Sequence, residues 1–114
     1  IHGCKDPRSF YKVASIVCMT SAFESFGMIL TEGMQFGCVP VAYDSCTAIR
    51  NLIQDKYNGI LVTPFDVDEY ARKLAAVMSD EETCAMLSEV AAHSVEKFDP
   101  KNVFPLWLKL IGSL

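Results

Sequence analysis

The sequence predicts an α/β protein: a truncated, Rossmann-like, doubly wound parallel sheet of about three to four strands, flanked by helices and ending in a helical tail. Three observations carry that expectation. Residues 15–19, 38–43 and Ile60–Val62 are short, continuously apolar runs, the signature of strands covered on both faces. Segments of helical character separate them, so successive strands need crossovers, which are right-handed and leave the strands parallel. A chain of 114 residues, 51% hydrophobic and 21% charged, is the right size to bury one modest core.

Each element has its own local reason. Asp6 is placed to cap a short helix with Pro7 at its first position, running through "DPRSFYKVA" into the first strand, "SIVCMT". A loop, "SAFES", follows. Gly27 then opens "GMILTEGMQF", a helix with apolar positions at Met28, Ile29, Met34 and Phe36, stopped by a left-handed Gly37. "CVPVAY" is the second strand, with Pro40 marking an irregular start. A short helix over 47–53 and a turn on Asn58-Gly59 lead to the third strand, "ILV". Downstream the chain is helical. Residues 66–79 carry a stripe at Val67, Tyr70, Ala71, Leu74 and Met78, with Asp66 and Glu69 in capping-box spacing. A helix over 80–97 offers Cys84, Leu87, Val90, Ala91 and Phe98, and a last one from Asp99-Pro100 offers Phe104, Trp107, Leu108 and Ile111.

Composition narrows the function. A net charge of −4 with ten scattered Lys and Arg argues against a nucleic-acid partner, and no apolar run approaches the ~20 residues of a membrane span. Five cysteines without a C-x-x-C, two of them in strand-like segments where small buried hydrophobes belong, fit a reducing cytoplasm. Two unclustered histidines support neither a metal site nor a Cys/His nucleophile. "DVD" at Asp66 is better read as a helix cap than as a metal-binding D-x-D, and a signalling receiver acting through Asp44 lacks its acidic cluster and its lysine.

The candidate site is "SAFESFGMILTEG", where Glu24 and Glu32 enclose seven residues. Spacing alone decides nothing, because Glu81 and Glu89 repeat it on a polar helix face. Context differs: Glu24 lies in the loop at a strand's carboxyl end, where open α/β sheets bind ligands. A helix start at Gly27, Met28 and Ile29 presents unpaired N–H groups to a phosphate, with Glu32 one and a half turns on for a ribose diol.

The stretch "FYKVASIVCMTSAFESFGMILTEGMQFGCVPVAYD" followed by "IRNLIQDKYNGILVTPFDVDEYA" resembles the carboxyl-terminal domain of the retaining glycosyltransferases called glycosyl transferases group 1, of the GT-B fold, with their E-x7-E motif, over residues 1–87. The F-G helix start, "GCVPV" and the N-G-I-L-V-x-P segment make that likeness specific. It implies that residues 1–114 are part of a nucleotide-sugar-binding domain, inactive without a missing first domain. It places Glu24, the catalytic-site residue, on hydroxyls of the donor sugar, and Glu32 on the nucleotide ribose. Ser25, Phe26, Gly27, Met28 and Ile29 would offer backbone amides to sugar and pyrophosphate, and residues 1–4 would approach the nucleobase. No metal or other cofactor is implied, only a nucleotide-sugar donor and an acceptor such as a glycan or glycolipid. The intact enzyme would be cytoplasmic, with a peripheral place at the membrane compatible. Thr47, Ala48 and Asn51 stand where the family has a glycine pair and a glutamate, which leaves the donor sugar open. The competing reading is a non-catalytic nucleotide-sugar-binding module.

Overall fold

A computed structural model describes residues 6–113. Three strands, β1 (Ile16–Met19), β2 (Val39–Tyr43) and β3 (Ile60–Val62), form one sheet in the order β1-β2-β3, and both pairings are parallel. Ile16 lies beside Val39, and Val41 lies beside Ile60. All three carboxyl ends therefore open on one edge. The helices are α1 (Arg8–Tyr11), α2 (Met28–Gln35), α3 (Thr47–Leu52), α4 (Val67–Ser79), α5 (Glu81–Ser94) and α6 (Pro100–Gly112), with a 3-10 turn at Glu96–Phe98 between the last two.

Strand alternation divides the core into two layers. Val17, Met19 and Ala42 face Leu30 and Met34 of α2, Ile49 and Leu52 of α3, and Ala91 at the end of α5. Val39, Val41, Tyr43, Ile60 and Val62 face Tyr70 and Val77 of α4 and Leu87 of α5. β2 is buried at every position, as a central strand covered on both sides should be. The doubly wound α/β arrangement expected from the sequence is the one observed.

Two close approaches fix α2 against the sheet. Gly33 brings the helix onto β1 so tightly that a Cβ there would lie 2.9 Å from Val17 Cγ1. Gly37, at φ +81°, ends the helix in the left-handed region, with the Cys38 N–H returning to the Gly33 carbonyl. On the opposite layer, Tyr70 reaches through from α4 and donates its hydroxyl to the Val41 carbonyl at 2.5 Å.

Several local expectations need correction. The first helix stops at Tyr11 instead of running to the strand, and Asp6 accepts the Arg8 N–H from just outside it, with Pro7 as the cap residue. Cys38 is fully buried, but Cys18 on β1 is exposed. Met28 and Ile29 point outward, and the buried stripe of α2 is Leu30, Thr31, Gly33 and Met34. Asp66 caps α4 by accepting the Glu69 N–H, whereas the Glu69 carboxylate turns to the Thr63 N–H rather than to the cap residue's own. The long helix over 80–97 ends at Ser94, and α6 buries none of its residues.

Candidate functional site

The loop over residues 20–27 joins the carboxyl end of β1 to α2 and carries Glu24. Among the described residues its backbone forms no internal hydrogen bond, and neighbours hold it in place. From the β2–α3 connection, Ser45 Oγ donates to the Ser21 carbonyl at 2.9 Å and Cys46 Sγ to the Glu24 carbonyl at 3.6 Å. From the 3-10 turn after α5, Phe98 meets Phe26 edge-on, with ring centroids 5.1 Å apart. A cavity of about 380 Å³ lies here, lined by Ser25, Phe26, Ala48, Asn51, Lys97 and Phe98 among others.

Gly27 turns the chain into the helix at φ +81°, a conformation that costs a side-chain-bearing residue about 1–2 kcal/mol. A Cβ there would also lie 2.9 Å from Leu52 Cδ1. Among the described residues, no side chain caps this helix. The Gly27 carbonyl accepts both the N–H and the hydroxyl of Thr31. Among the described residues, the N–H groups of Ser25, Phe26, Gly27, Met28 and Ile29 have no hydrogen-bond partner. Five consecutive donors at the positive end of a helix form an anion-receptive stretch of backbone. Met28 and Ile29 are exposed beside these donors, and Leu30 and Met34 fill the core.

Glu32 is half-buried on α2, and Tyr11 of α1 donates its hydroxyl to Glu32 Oε2 at 3.5 Å. Tyr11 is steadied by a stacked Phe36, 5.8 Å away. Burial, and then the Glu32 carboxylate, push the Tyr11 hydroxyl above its ordinary pKa, so it remains a donor across the neutral range. Glu32 also borders an open cavity of about 300 Å³ with Asp6, Pro7, Arg8, Gln35 and Phe36. Glu24 and Glu32 are thus held by different elements on either side of the amide stretch. Their spacing twins, Glu81 and Glu89, lie exposed on α5.

Cys46 lies at the start of α3, and hydrogen bonding to the backbone, at Ile49 first and Glu24 second, lowers its thiol pKa. Asp44, at the end of β2, is paired with Arg50 at 2.9 Å. No group of three His, Cys, Asp or Glu side chains suited to a metal ion occurs among the described residues. The expected nucleobase contacts of residues 1–4 lie outside the described residues.

Sequence reasoning missed Tyr11, Ser45, Cys46 and Phe98 as neighbours of the site. In the sequence Phe98 is one more apolar helix position, and Tyr11 has no mark beyond its place in the first helix. Ser45 and Cys46 sit at the end of a strand neighbouring β1, which is the only signal that could have flagged them. Thr47 is exposed at the start of α3, while Ala48 and Asn51 border the loop cavity.

Known proteins resemble this chain in sequence and in fold. The chain is 30% identical over 102 residues to the poly(glycerol-phosphate) alpha-glucosyltransferase of Bacillus subtilis, covering 90% of this chain and 15% of that protein. Among solved structures, Anabaena HepE in complex with UDP and glucose superposes with a TM-score of 0.83 at 24% identity, over 92% of this chain and 29% of that one. The C-terminal domain of the group 1 glycosyl transferase LpcC from Francisella tularensis gives a TM-score of 0.73 at 28% identity, over 83% of this chain and 48% of that one. The chain thus spans only a minor part of the length of its curated relatives, 15% in the Bacillus protein. Residues 1–94 match the family described as glycosyl transferases group 1, and the chain belongs to that family, with the fold of the GT-B glycosyltransferases.

Proposed function

We propose that residues 1–114 are the donor-binding part of a longer retaining glycosyltransferase that takes a glycosyl group from a nucleoside-diphosphate sugar, and that they do not turn over alone. The observation that carries this reading is the run of five backbone N–H groups from Ser25 to Ile29, unpartnered among the described residues and flanked by Glu24 and Glu32, at the carboxyl edge of the sheet. The diphosphate meets those amides and the positive end of α2. Glu32, oriented by Tyr11, accepts hydrogen bonds from the ribose hydroxyls. Glu24 accepts from hydroxyls of the sugar. Solved HepE, in complex with UDP and glucose, supports a donor of this class.

In the reaction the bond between the anomeric carbon and the phosphate oxygen breaks, and its electron pair leaves with the diphosphate. The acceptor hydroxyl attacks from the same face, and its proton passes to the departing phosphate oxygen. Fixed amide dipoles stabilise the growing negative charge without reorganising, and Glu24 holds the sugar in register with the acceptor. Neither glutamate acts as a nucleophile. A glycosidase would place its two carboxyls across one bond, whereas here they serve different parts of one donor. This reading assigns no metal to the donor site, and the Asp66 carboxylate of "DVD" caps α4.

Glutamine substitutions in the full-length enzyme test the assignment. Replacing a carboxylate that accepts from a hydroxyl removes a charge-assisted hydrogen bond, so Glu24→Gln is expected to lower kcat/KM by roughly 10- to 100-fold. Glu32→Gln is expected to raise the Kd for the free nucleotide by roughly 10-fold. Glu81→Gln and Glu89→Gln leave both quantities unchanged, and the rate survives EDTA. Wild-type behaviour in both site variants would sink the proposal.

A further inference from the structure

Phe98 lies 72 residues downstream of Phe26 in the sequence, in the 3-10 turn between α5 and α6. That turn is a firm base. Val95, at its start, is almost completely buried, and the Phe98 N–H donates to the Val95 carbonyl at 3.0 Å. The Phe98 ring packs on the core layer that holds Leu52 and Ile53, and it presents its edge to Phe26 at an interplanar angle of 85°. The Lys97 ammonium sits 5.2 Å from the Phe98 ring centroid. The loop it meets is the least self-supported part of the site. Two side-chain hydrogen bonds, from Ser45 and Cys46, tie it down on the β2–α3 side. On the other side, at Phe26, the only ring contact among the described residues is Phe98.

We propose that Phe98 is a positioning residue: through Phe26 it sets the backbone of Ser25 and Phe26, and with it the reach of Glu24 to the donor sugar. This inference rests on the donor-site reading above. Ser25 and Phe26 supply two of the five free amides, and Glu24 precedes them directly, so a loop that swings at Phe26 displaces the sugar-binding carboxylate and the first amides together. Glu32 and the later amides belong to α2, which is anchored by Gly33 on Val17, and they do not move with it. Losing the Phe98 edge therefore affects the sugar end of the donor more than the nucleotide end. An aliphatic side chain of similar bulk keeps the burial but not the edge-to-face geometry.

The test uses the full-length enzyme with UDP-glucose as donor and UDP as the nucleotide alone, on Phe98→Leu, Phe98→Tyr, Phe26→Leu and the Phe26/Phe98 double leucine variant. Phe98→Leu is expected to lower kcat/KM for UDP-glucose by about 5-fold while the Kd for UDP stays within about twofold. Phe98→Tyr is expected to restore the rate, and the double variant to be no worse than either single one. An unchanged rate in Phe98→Leu, multiplying losses in the double variant, or a parallel loss of UDP binding, UDP-glucose turnover and thermal stability overturns the proposal. Glu32→Gln runs beside them. Loss of UDP affinity there with an unaffected Phe98→Leu defeats the role of Phe98 alone, whereas unchanged UDP affinity in Glu32→Gln defeats the donor-site reading and this inference with it.

Discussion

Cys46 shows how one side chain joins two loops. Its sulfur donates to the Glu24 carbonyl, while the backbone at Ile49 favours its thiolate form. A lowered thiol pKa means that the thiolate is populated at lower pH than in an unfolded chain, so alkylation should set in at lower pH. Iodoacetamide labelling of Cys46, followed by mass spectrometry across a pH series, is expected to show its midpoint below that of the same cysteine in a peptide of residues 45–51. An equal or higher midpoint would show that the helix start does not stabilise the thiolate. Tyr11 acts similarly as a bridge, since its hydroxyl ties α1 to Glu32 on α2.

Between elements, single contacts set the geometry of whole layers. Gly33 lets α2 lie on β1, and Gly27 starts that helix in the left-handed region, so the amide stretch is fixed by two positions that reject a Cβ. Tyr70 does the same work for α4 with a buried hydroxyl donating to Val41. Its pKa is raised, first by burial and then by the neighbouring Cys18. A hydroxyl whose folded pKa lies above its unfolded value stabilises the fold fully below the unfolded pKa of about 10, and that contribution is lost as pH rises beyond it. Tyr70→Phe is therefore expected to lower stability by about 1 kcal/mol at neutral pH and to flatten the loss of stability above pH ~10, read by urea denaturation. An alkaline limb identical to wild type would remove Tyr70 as its cause.

For the molecule as a whole, α6 stands apart. On its helical wheel Lys101, Asn102 and Lys109 share one side, and Val103, Phe104, Leu106, Trp107, Leu108, Leu110 and Ile111 fill the other, yet Phe104 is 62% and Trp107 58% exposed. Asp99 accepts the Lys101 N–H and Pro100 stands at the first position, while Pro105 interrupts the backbone hydrogen bonding inside the helix. Removing residues 100–114 from this chain is expected to leave the urea midpoint unchanged and to reduce self-association, measured by light scattering. A clear fall in the midpoint would mean that α6 supports the core. No described helix is long and apolar enough to cross a membrane.

Sequence alone determined the alternation of strand and helix, because apolar runs, Gly37, Asp66 and Asp99-Pro100 act within a few residues of themselves. It also singled out the stretch from Glu24 to Glu32, since a glycine-opened helix after an apolar strand is a local pattern. Which side of α2 is buried was not legible: Met28, Ile29, Leu30 and Met34 are all apolar, and only packing against Val17 and Met19 separates Leu30 and Met34 from the two that flank the site. Cys18 and Cys38 look alike in sequence, and only tertiary packing leaves one exposed and buries the other. The neighbours Tyr11, Ser45, Cys46 and Phe98 came from the fold alone. Contacts across twenty to seventy residues depend on strand register and crossover geometry, which no short pattern encodes.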